Sequence, residues 1–360
     1  MAVPAAIVPA PTERLPFLDA VRGFALLLMI LNHTGHWWQD GTMGWPRYNL
    51  IYTTLAVGAP LFLFLVGFCL PLSFARRRGM GAPVDLAVVG KFLQRGARLV
   101  LASWLLNFLV FRDEPFWEGG VLQTIGLGII FCVPPMLLLH RRGAPFLLVA
   151  VAVLLYGLFA VSYERIAQWI VVHPVAGRIW FFEFAPWPWI GLVWIGLALG
   201  WVWVGQDTPE RRRRYVATMA GAGVLGLAAY VLWNRAHDVS FHRSLAFTRD
   251  FILNDHWTPR GITTLLCLGA VFSLLGLSYY LVEVRRLPVG WLVVLGRTSL
   301  VIYFVHHLIV LTFAHEWLGL SFNPWWQYGL ANAALVIALY ALGRVWLELK
   351  HVAGRRLQPA

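Results

Sequence analysis

The run from Leu15 to Trp38, LPFLDAVRGFALLLMILNHTGHWW, is the stretch that most constrains what this chain can become. A helix of about 20 apolar residues crosses a bilayer, and this one is long and apolar enough. It nevertheless carries Asp19, Arg22, His33 and His36. Asp or Arg near the middle of a span costs roughly 2.5–3.5 kcal/mol on insertion scales, and such groups face a bundle interior or a wet cavity. Helical geometry permits that here. At about 100° per residue, Arg22 and His33 return to within roughly 20° of one face. Asp19 precedes Arg22 by three residues and His36 follows His33 by three, so all four fall near one stripe. The first span is therefore expected to form a wall of a reaction or transport chamber, with Arg22 and His33 about 16 Å apart along the axis.

Nine more apolar runs follow. Ten spans are expected, over 15–38, 50–74, 99–111, 121–139, 145–162, 187–205, 215–233, 262–282, 291–313 and 327–345. The third is short unless a helix beginning near Lys91 extends it backward. The fold class is all-α and polytopic: one membrane unit over 15–345, a disordered Ala/Pro-rich tail over 1–14 and a basic tail over 346–360. The first span is too long for a cleaved signal peptide and runs on into a second, so it reads as a retained anchor. Ten spans put both termini on one side, and Lys/Arg placement says which. The terminal side holds 19 of these residues and the opposite side 8, with every inner loop basic. Both termini are thus expected in the cytoplasm, since cytoplasmic loops are the basic ones.

Composition agrees. The chain is 59% hydrophobic and 13% charged, against about 25% charged in a soluble domain. A net charge of +12 invites a nucleic-acid reading. That reading is rejected, because the basic residues sit in short loops where topology explains them. Cys69, Cys132 and Cys267 each lie in an apolar run without a CxxC or metal spacing, so they read as packing thiols and no metal is expected. Tryptophans concentrate at the outer ends of spans, among them Trp37, Trp117, Trp187 and Trp326. An interfacial aromatic belt is one reading. A belt should be balanced between the two faces, and the imbalance favours a ligand-stacking surface outside.

The candidate chemistry begins with His33, which has Asn32 and His36 nearby; imidazole titrates near neutrality and suits proton transfer. Arg22 has an alternative structural role, pairing with Asp19 and snorkelling. In span nine, Ser299, Tyr303, His306 and His307 fall within roughly 80° of one helical face, a second polar stripe. Either it is a hydrogen-bonded helix contact, or Tyr303 or His306 faces span one across the chamber. Gln123, Glu183 and Trp187 are lesser candidates for binding an acceptor. His256–Arg260, HWTPR, is either an acceptor gate or an ordinary loop.

LPFLDAVRGFALLLMILNH resembles the opening of the membrane acyltransferases, which comprise the acyltransferase family 3 proteins and the heparan-alpha-glucosaminide N-acetyltransferase group. The first group has Arg, ten residues, then His in its first span, and Arg22 to His33 reproduces that spacing. APLFLFLVGFCLPLSF resembles the second group's second span. VLQTIGLG at 121–128, APWPWIGLVWIGLALG at 185–200 and LGRTSLVIYFVHHLI at 295–309 agree in the expected order. The resemblance covers all ten spans and lies nearest to bacterial members of the second group. The chain also departs from it: the lysosomal enzymes carry Asn where His33 stands, with their catalytic His farther on. His36 therefore competes with His33.

The resemblance implies transfer of an acyl group, usually acetyl from acetyl-CoA, to a glycan or other hydroxyl or amine acceptor outside the cytoplasm, in a bacterial inner membrane. No cofactor beyond acyl-CoA as donor is implied. The other expected partners are membrane lipid and the acceptor; an oligomer is compatible. CoA phosphates need cations at the inner mouth, and Arg22, Arg98 and Arg297 are candidates, because guanidinium binds phosphate through paired hydrogen bonds. Asp19, placed with His33 and His36 in the candidate catalytic set, lies too far along the helix to orient His33 and is expected to hold Arg22. Direct transfer and an acyl-histidine relay both remain open. A transporter would also use buried charges and a wet chamber, but inverted repeats and paired broken helices are not evident. A non-catalytic envelope scaffold would leave Asp19, Arg22 and His33 as unexplained cost. The topology has a direct check. A cytosol-active reporter fused after Ala360 should be active and one inserted near Asp238 inactive; the reverse pattern overturns the orientation.

Overall fold

A computed structural model describes residues 15–40, 47, 51, 57–78, 85–141, 143–181, 186–236 and 263–356. Its elements are helices: α1 (Pro16–Trp38), α2 (Gly58–Arg78), α3 (Leu86–Val110), α4 (Val121–Phe131), α5 (Val133–Leu138), α6 (Ala144–Val172), α7 (Pro174–Trp180), α8 (Pro186–Val204), α9 (Pro209–Ala236), α10 (Thr263–Tyr279), α11 (Gly290–Arg297), α12 (Ser299–His307) and α13 (Trp325–Arg356). π-helical turns extend α10 through Tyr280–Val284 and α12 through Leu308–Trp317. No strand occurs among the described residues. The starts follow local chemistry. Proline occupies the first turn of α1, α5, α6 and α7, where its missing N–H is no loss. Asp85 caps α3 by accepting from the Val88 N–H at 2.9 Å.

Eight of these segments are long and apolar enough to cross a membrane. The chain is thus an all-α, multi-pass membrane protein. Helices stand at all ten expected places. The two outside the eight are α3, whose first half carries Lys91, Arg95 and Arg98, and α6, whose apolar part is Ala144–Phe159. α3 begins at Leu86, so the short third span is indeed lengthened backward. Span nine is corrected: it does not run unbroken from 291. Thr298 leaves helical geometry at φ −109°, ψ 10°, and its hydroxyl donates to the Val294 carbonyl at 2.8 Å. The short α11 ends there, and the membrane-length helix starts at Ser299.

α1, α2 and α8 form the centre, with 67%, 78% and 72% of their spans buried, against 22% for α9 and α13. Phe17, Phe64, Phe68 and Trp189 are fully enclosed between them. The outer helices turn residues such as Phe146, Leu147, Leu225 and Leu232 outward, as lipid-facing surfaces require. Small residues set the closest approaches. α11 lies on α1 where Gly23 meets the Leu292 carbonyl and Gly296 meets the Asp19 carbonyl; a Cβ on either glycine would collide with the other helix's backbone. This is the small-residue packing that lets helices associate without a hydrophobic driving force. The same contact fixes the height of Asp19 and Arg22.

Gly23→Val and Gly296→Val should therefore each destabilise the bundle by about 3 kcal/mol or more, beyond ordinary overpacking, because backbone and not a side chain must yield. Gly221→Ala, where an added methyl meets open space, should be neutral or gain about 0.5–1 kcal/mol. Thermal unfolding of the three variants in the same detergent checks the contrast.

Candidate active site

α1 carries two polar stations. At the first, Arg22 Nη1 donates to Asp19 Oδ1 at 2.8 Å and Nη2 to Cys69 Sγ on α2 at 3.5 Å. The pair sits one helical turn apart on the stripe that the sequence predicts. Asp19 thus holds Arg22, as expected, and stands apart from the histidine cluster.

At the second station three imidazoles converge. His33 Nδ1 lies 2.9 Å from His306 Nε2, and the His33 and His307 rings are 4.4 Å apart. One ring nitrogen from each of His33, His306 and His307 lies within 4.8 Å of the others. The polar stripe of span nine therefore does face span one. The adjacent histidines are held by their own helix: His306 Nδ1 meets the Ile302 carbonyl at 2.9 Å and His307 Nδ1 the Tyr303 carbonyl at 2.8 Å. Both are enclosed, whereas His33 is partly exposed. Immediately after this pair the helix widens into its π-helical turns, a change that recurs at functional sites. Three imidazoles could in principle ligate a transition metal, but a metal needs the lone pairs of its ligands to converge on a third point at about 2.0–2.1 Å. Here His33 and His306 point at each other.

A cavity of about 480 Å³ runs from the first station as far as Tyr303. Arg22, Lys91, Arg95 and Arg98 stand on its wall, and Lys91, Arg95 and Arg98 share one face of α3 at i, i+4, i+7 spacing. Among the described residues no carboxylate lines it. The rest of the wall is largely apolar, including Met29, Phe62, Val66, Leu99, Leu122 and Ile125. Ser299 and Tyr303 also line it, and the Tyr303 ring lies 4.6 Å from that of His307. Tyr303 thus separates the cavity from the imidazoles. Beyond them, the Trp37 ring is 5.2 Å from His33 and 6.2 Å from Phe111.

The other expected site residues fall elsewhere. Asn32 is buried and donates to the Ile51 carbonyl at 2.6 Å, so its amide holds the chain beyond α1. Gln123 accepts from Trp104 Nε1 at 2.9 Å and donates to the Ile179 carbonyl at 3.1 Å, tying α4 to α3 and α7. Both amides are thus engaged inside the protein. His36 packs edge-on against Trp37, outside the histidine cluster. Arg297 lines a different groove, with Arg344, Lys350 and His351. Trp187 is exposed at the start of α8. Glu183 and His256–Arg260 lie outside the described residues. Sequence reasoning missed Lys91 and Arg95 as site residues, because it counted them only as topological charge; their spacing with Arg98 was the available signal. It also missed Arg47, whose guanidinium donates to the Gly35, His36 and Gln39 carbonyls and closes the end of α1.

Two family models match. The catalytic part of heparan-alpha-glucosaminide N-acetyltransferase covers residues 14–235, and the OpgC protein covers residues 125–351. Comparison with curated proteins gives no match.

The loop between α3 and α4 holds a titratable group outside the membrane. Glu118 is buried, paired with Arg178 at 2.9 Å. Burial, with the neighbouring Glu114 carboxylate, pushes its carboxyl from an ordinary value near 4.5 up to about 7, against the pull of Arg178. A folded-state pKa that is raised gives stability present below pH 4.5 and lost as pH rises through about 7. The wild-type melting temperature should carry that decline, and Glu118→Gln should flatten it. Melting curves of both proteins between pH 4.5 and 8 check this; parallel slopes would refute it.

Proposed function

The chain belongs to the heparan-alpha-glucosaminide N-acetyltransferase and OpgC family of membrane acyltransferases, and we propose that it transfers an acyl group, acetyl in the first instance, from acyl-CoA to an acceptor on the opposite face of the membrane. The observation that carries this reading is the cavity with Arg22, Lys91, Arg95 and Arg98 in its wall and Tyr303 against the histidines at its margin. A CoA thioester has matching polarity: anionic phosphates, a long arm, and a neutral reacting carbonyl. The cations take the phosphates by charge-assisted hydrogen bonds, and the arm lies along the apolar wall towards Tyr303.

His33 is the base. Its imidazole takes the proton of an acceptor hydroxyl or amine as that oxygen or nitrogen attacks the thioester carbonyl carbon. The new C–O or C–N bond forms and the C–S bond breaks. The leaving thiolate recovers the proton from the imidazolium, giving acylated acceptor and CoA thiol. Trp37, beside His33 at the acceptor end, offers an aromatic face of the kind a sugar ring stacks on. In this reading the Asp19 end of α1 is cytoplasmic, the His33 end faces outward, and the protein resides in the inner membrane of a bacterium. An extracytoplasmic glycan is the acceptor class that fits this placement.

The test is CoA binding and acetyl transfer by purified protein in nanodiscs. Arg22→Ala and Arg98→Ala should weaken CoA binding about 10- to 100-fold, the worth of a hydrogen bond to a charged group. Arg22→Lys should recover only part, because lysine lacks the planar fork. Arg297→Ala should leave affinity unchanged. His33→Ala should lower transfer roughly 10²- to 10⁴-fold with CoA affinity near normal, while His36→Ala stays active. Unchanged CoA affinity in both arginine-to-alanine variants would sink the donor site, and a dead His36→Ala beside an active His33→Ala would transfer the role of base to His36.

A further inference from the structure

We infer that His306 is a positioning residue that fixes the tautomer of His33, through a hydrogen-bond chain running from the Ile302 carbonyl to the partly exposed imidazole of His33. Chemistry of the donors and acceptors sets every proton in this chain. A backbone carbonyl only accepts, so the 2.9 Å contact between His306 Nδ1 and the Ile302 oxygen requires the proton on Nδ1. In the neutral ring, His306 Nε2 then carries a lone pair. The 2.9 Å contact between that nitrogen and His33 Nδ1 must be donated by His33. His33, protonated at Nδ1, is left with its lone pair at Nε2.

Ring geometry supports a hydrogen bond and not a chance approach. The His33 and His306 planes differ by 3°, with centroids 5.2 Å apart. That separation equals the 2.9 Å bond plus the two ring radii, so the rings are nearly coplanar and meet head-on, N–H in line with lone pair. Stacked rings at that nitrogen–nitrogen distance would bring their centroids far closer. The same head-on geometry opposes a metal between these nitrogens, as noted above.

Exposure adds an independent reason. His306 and His307 are 0% and 2% exposed, and His33 alone of the three is partly open. The chain therefore starts on buried backbone and ends on the one imidazole of the three that is partly exposed. The role resembles that of the carboxylate in a Ser–His–Asp triad, which holds the catalytic imidazole in the right tautomer, with a neutral imidazole in its place. When His33 Nε2 takes a proton, the Nδ1–H becomes a charge-assisted donor to His306 and its bond strengthens. The proton goes no farther than His306, because a peptide carbonyl does not accept it as a base. The kinetic consequence rests on the reading of His33 as the base; the tautomer does not.

The experiment is nitrogen-15 spectroscopy of histidine-labelled protein in nanodiscs, with the His33 signals identified by their loss in His33→Ala, alongside transfer kinetics. His33 should show a protonated Nδ1 and an unprotonated Nε2. His306→Ala should mix the two tautomers and lower kcat about 10- to 100-fold, less than the roughly 10⁴-fold of a triad aspartate variant, with KM and CoA affinity unchanged. His306→Gln, whose amide oxygen can accept in place of Nε2, should restore the tautomer and most of kcat, and it serves as the reading if the alanine variant does not fold. A protonated Nε2 on His33 in the wild type overturns the inference whatever the activity, as does an unchanged His33 spectrum in His306→Ala. So does stoichiometric zinc in the purified protein that is lost in His306→Ala, since a metal would claim the lone pair that accepts from His33. If His33→Ala keeps full transfer while the expected tautomer is seen, the inference holds and the assignment of His33 as base falls.

Discussion

Hydrocarbon supplies no hydrogen bonds, so each polar group on a buried span must find its partner inside the protein, and α1 shows how far that requirement organises this fold. Asp19 and Arg22 satisfy each other and Cys69. Asn32 holds Ile51. Thr34 reaches Asn332 at 2.7 Å, and Tyr328 donates to the Leu31 carbonyl at 2.6 Å. His33 meets His306, and Arg47 closes the last turn. Together these bonds recruit α2, the residue Ile51, α13 and α12. A helix that satisfied its polar side chains locally could sit at the rim of the bundle. This one cannot, and its central place follows from its polarity as much as from Phe17 and Leu26.

The two stations on α1 differ in how they meet their surroundings. Near Arg22 the wall opens onto three further cations from one face of α3. Like charges gathered on one cavity wall repel each other, and packing alone gives no reason to gather them; an anion relieves the repulsion. Near His33 the groups carry no fixed charge, are enclosed by Tyr303, Trp37 and Phe111, and can gain or lose a proton. The transfer proposed above divides its labour in the same way, with a polyanionic donor at the cationic end and a proton moved at the histidine end.

Much of this was legible in the sequence. The ten apolar runs located the helices, and the eleven-residue interval put Arg22 and His33 on one stripe. The polar face of span nine, read from the same periodicity, did meet span one. What helical periodicity cannot supply is the rotation and height of one helix against its neighbour. His36 lies on the His33 stripe by arithmetic, yet the imidazoles of α12 arrive one turn below it and gather His33 alone. Arg297 was expected beside Arg22 and Arg98 as a cation for phosphate, but it lines another groove, and no residue spacing announces the break at Thr298 that follows it. Asn32 and Gln123 looked available because their partners, Ile51, Trp104 and Ile179, are backbone or distant residues that no sequence spacing announces.

The break at Thr298 also explains how one short stretch can serve both stations. An unbroken helix over Gly290 to Trp317 would have to keep a single axis, and the glycine contact that seats α11 against Asp19 would then dictate where Tyr303 and His306 fall. Separating α11 from α12 lets the first fix the height of the Asp19–Arg22 pair by backbone contact, while the second places Ser299 and Tyr303 on the cavity and turns His306 towards His33. Backbone contact sets one end of the chamber and a hydrogen bond sets the other. The distance between them is set by α1, about 16 Å of continuous helix between Arg22 and His33, and α1 has no proline or helix break between Arg22 and His33 to blur it.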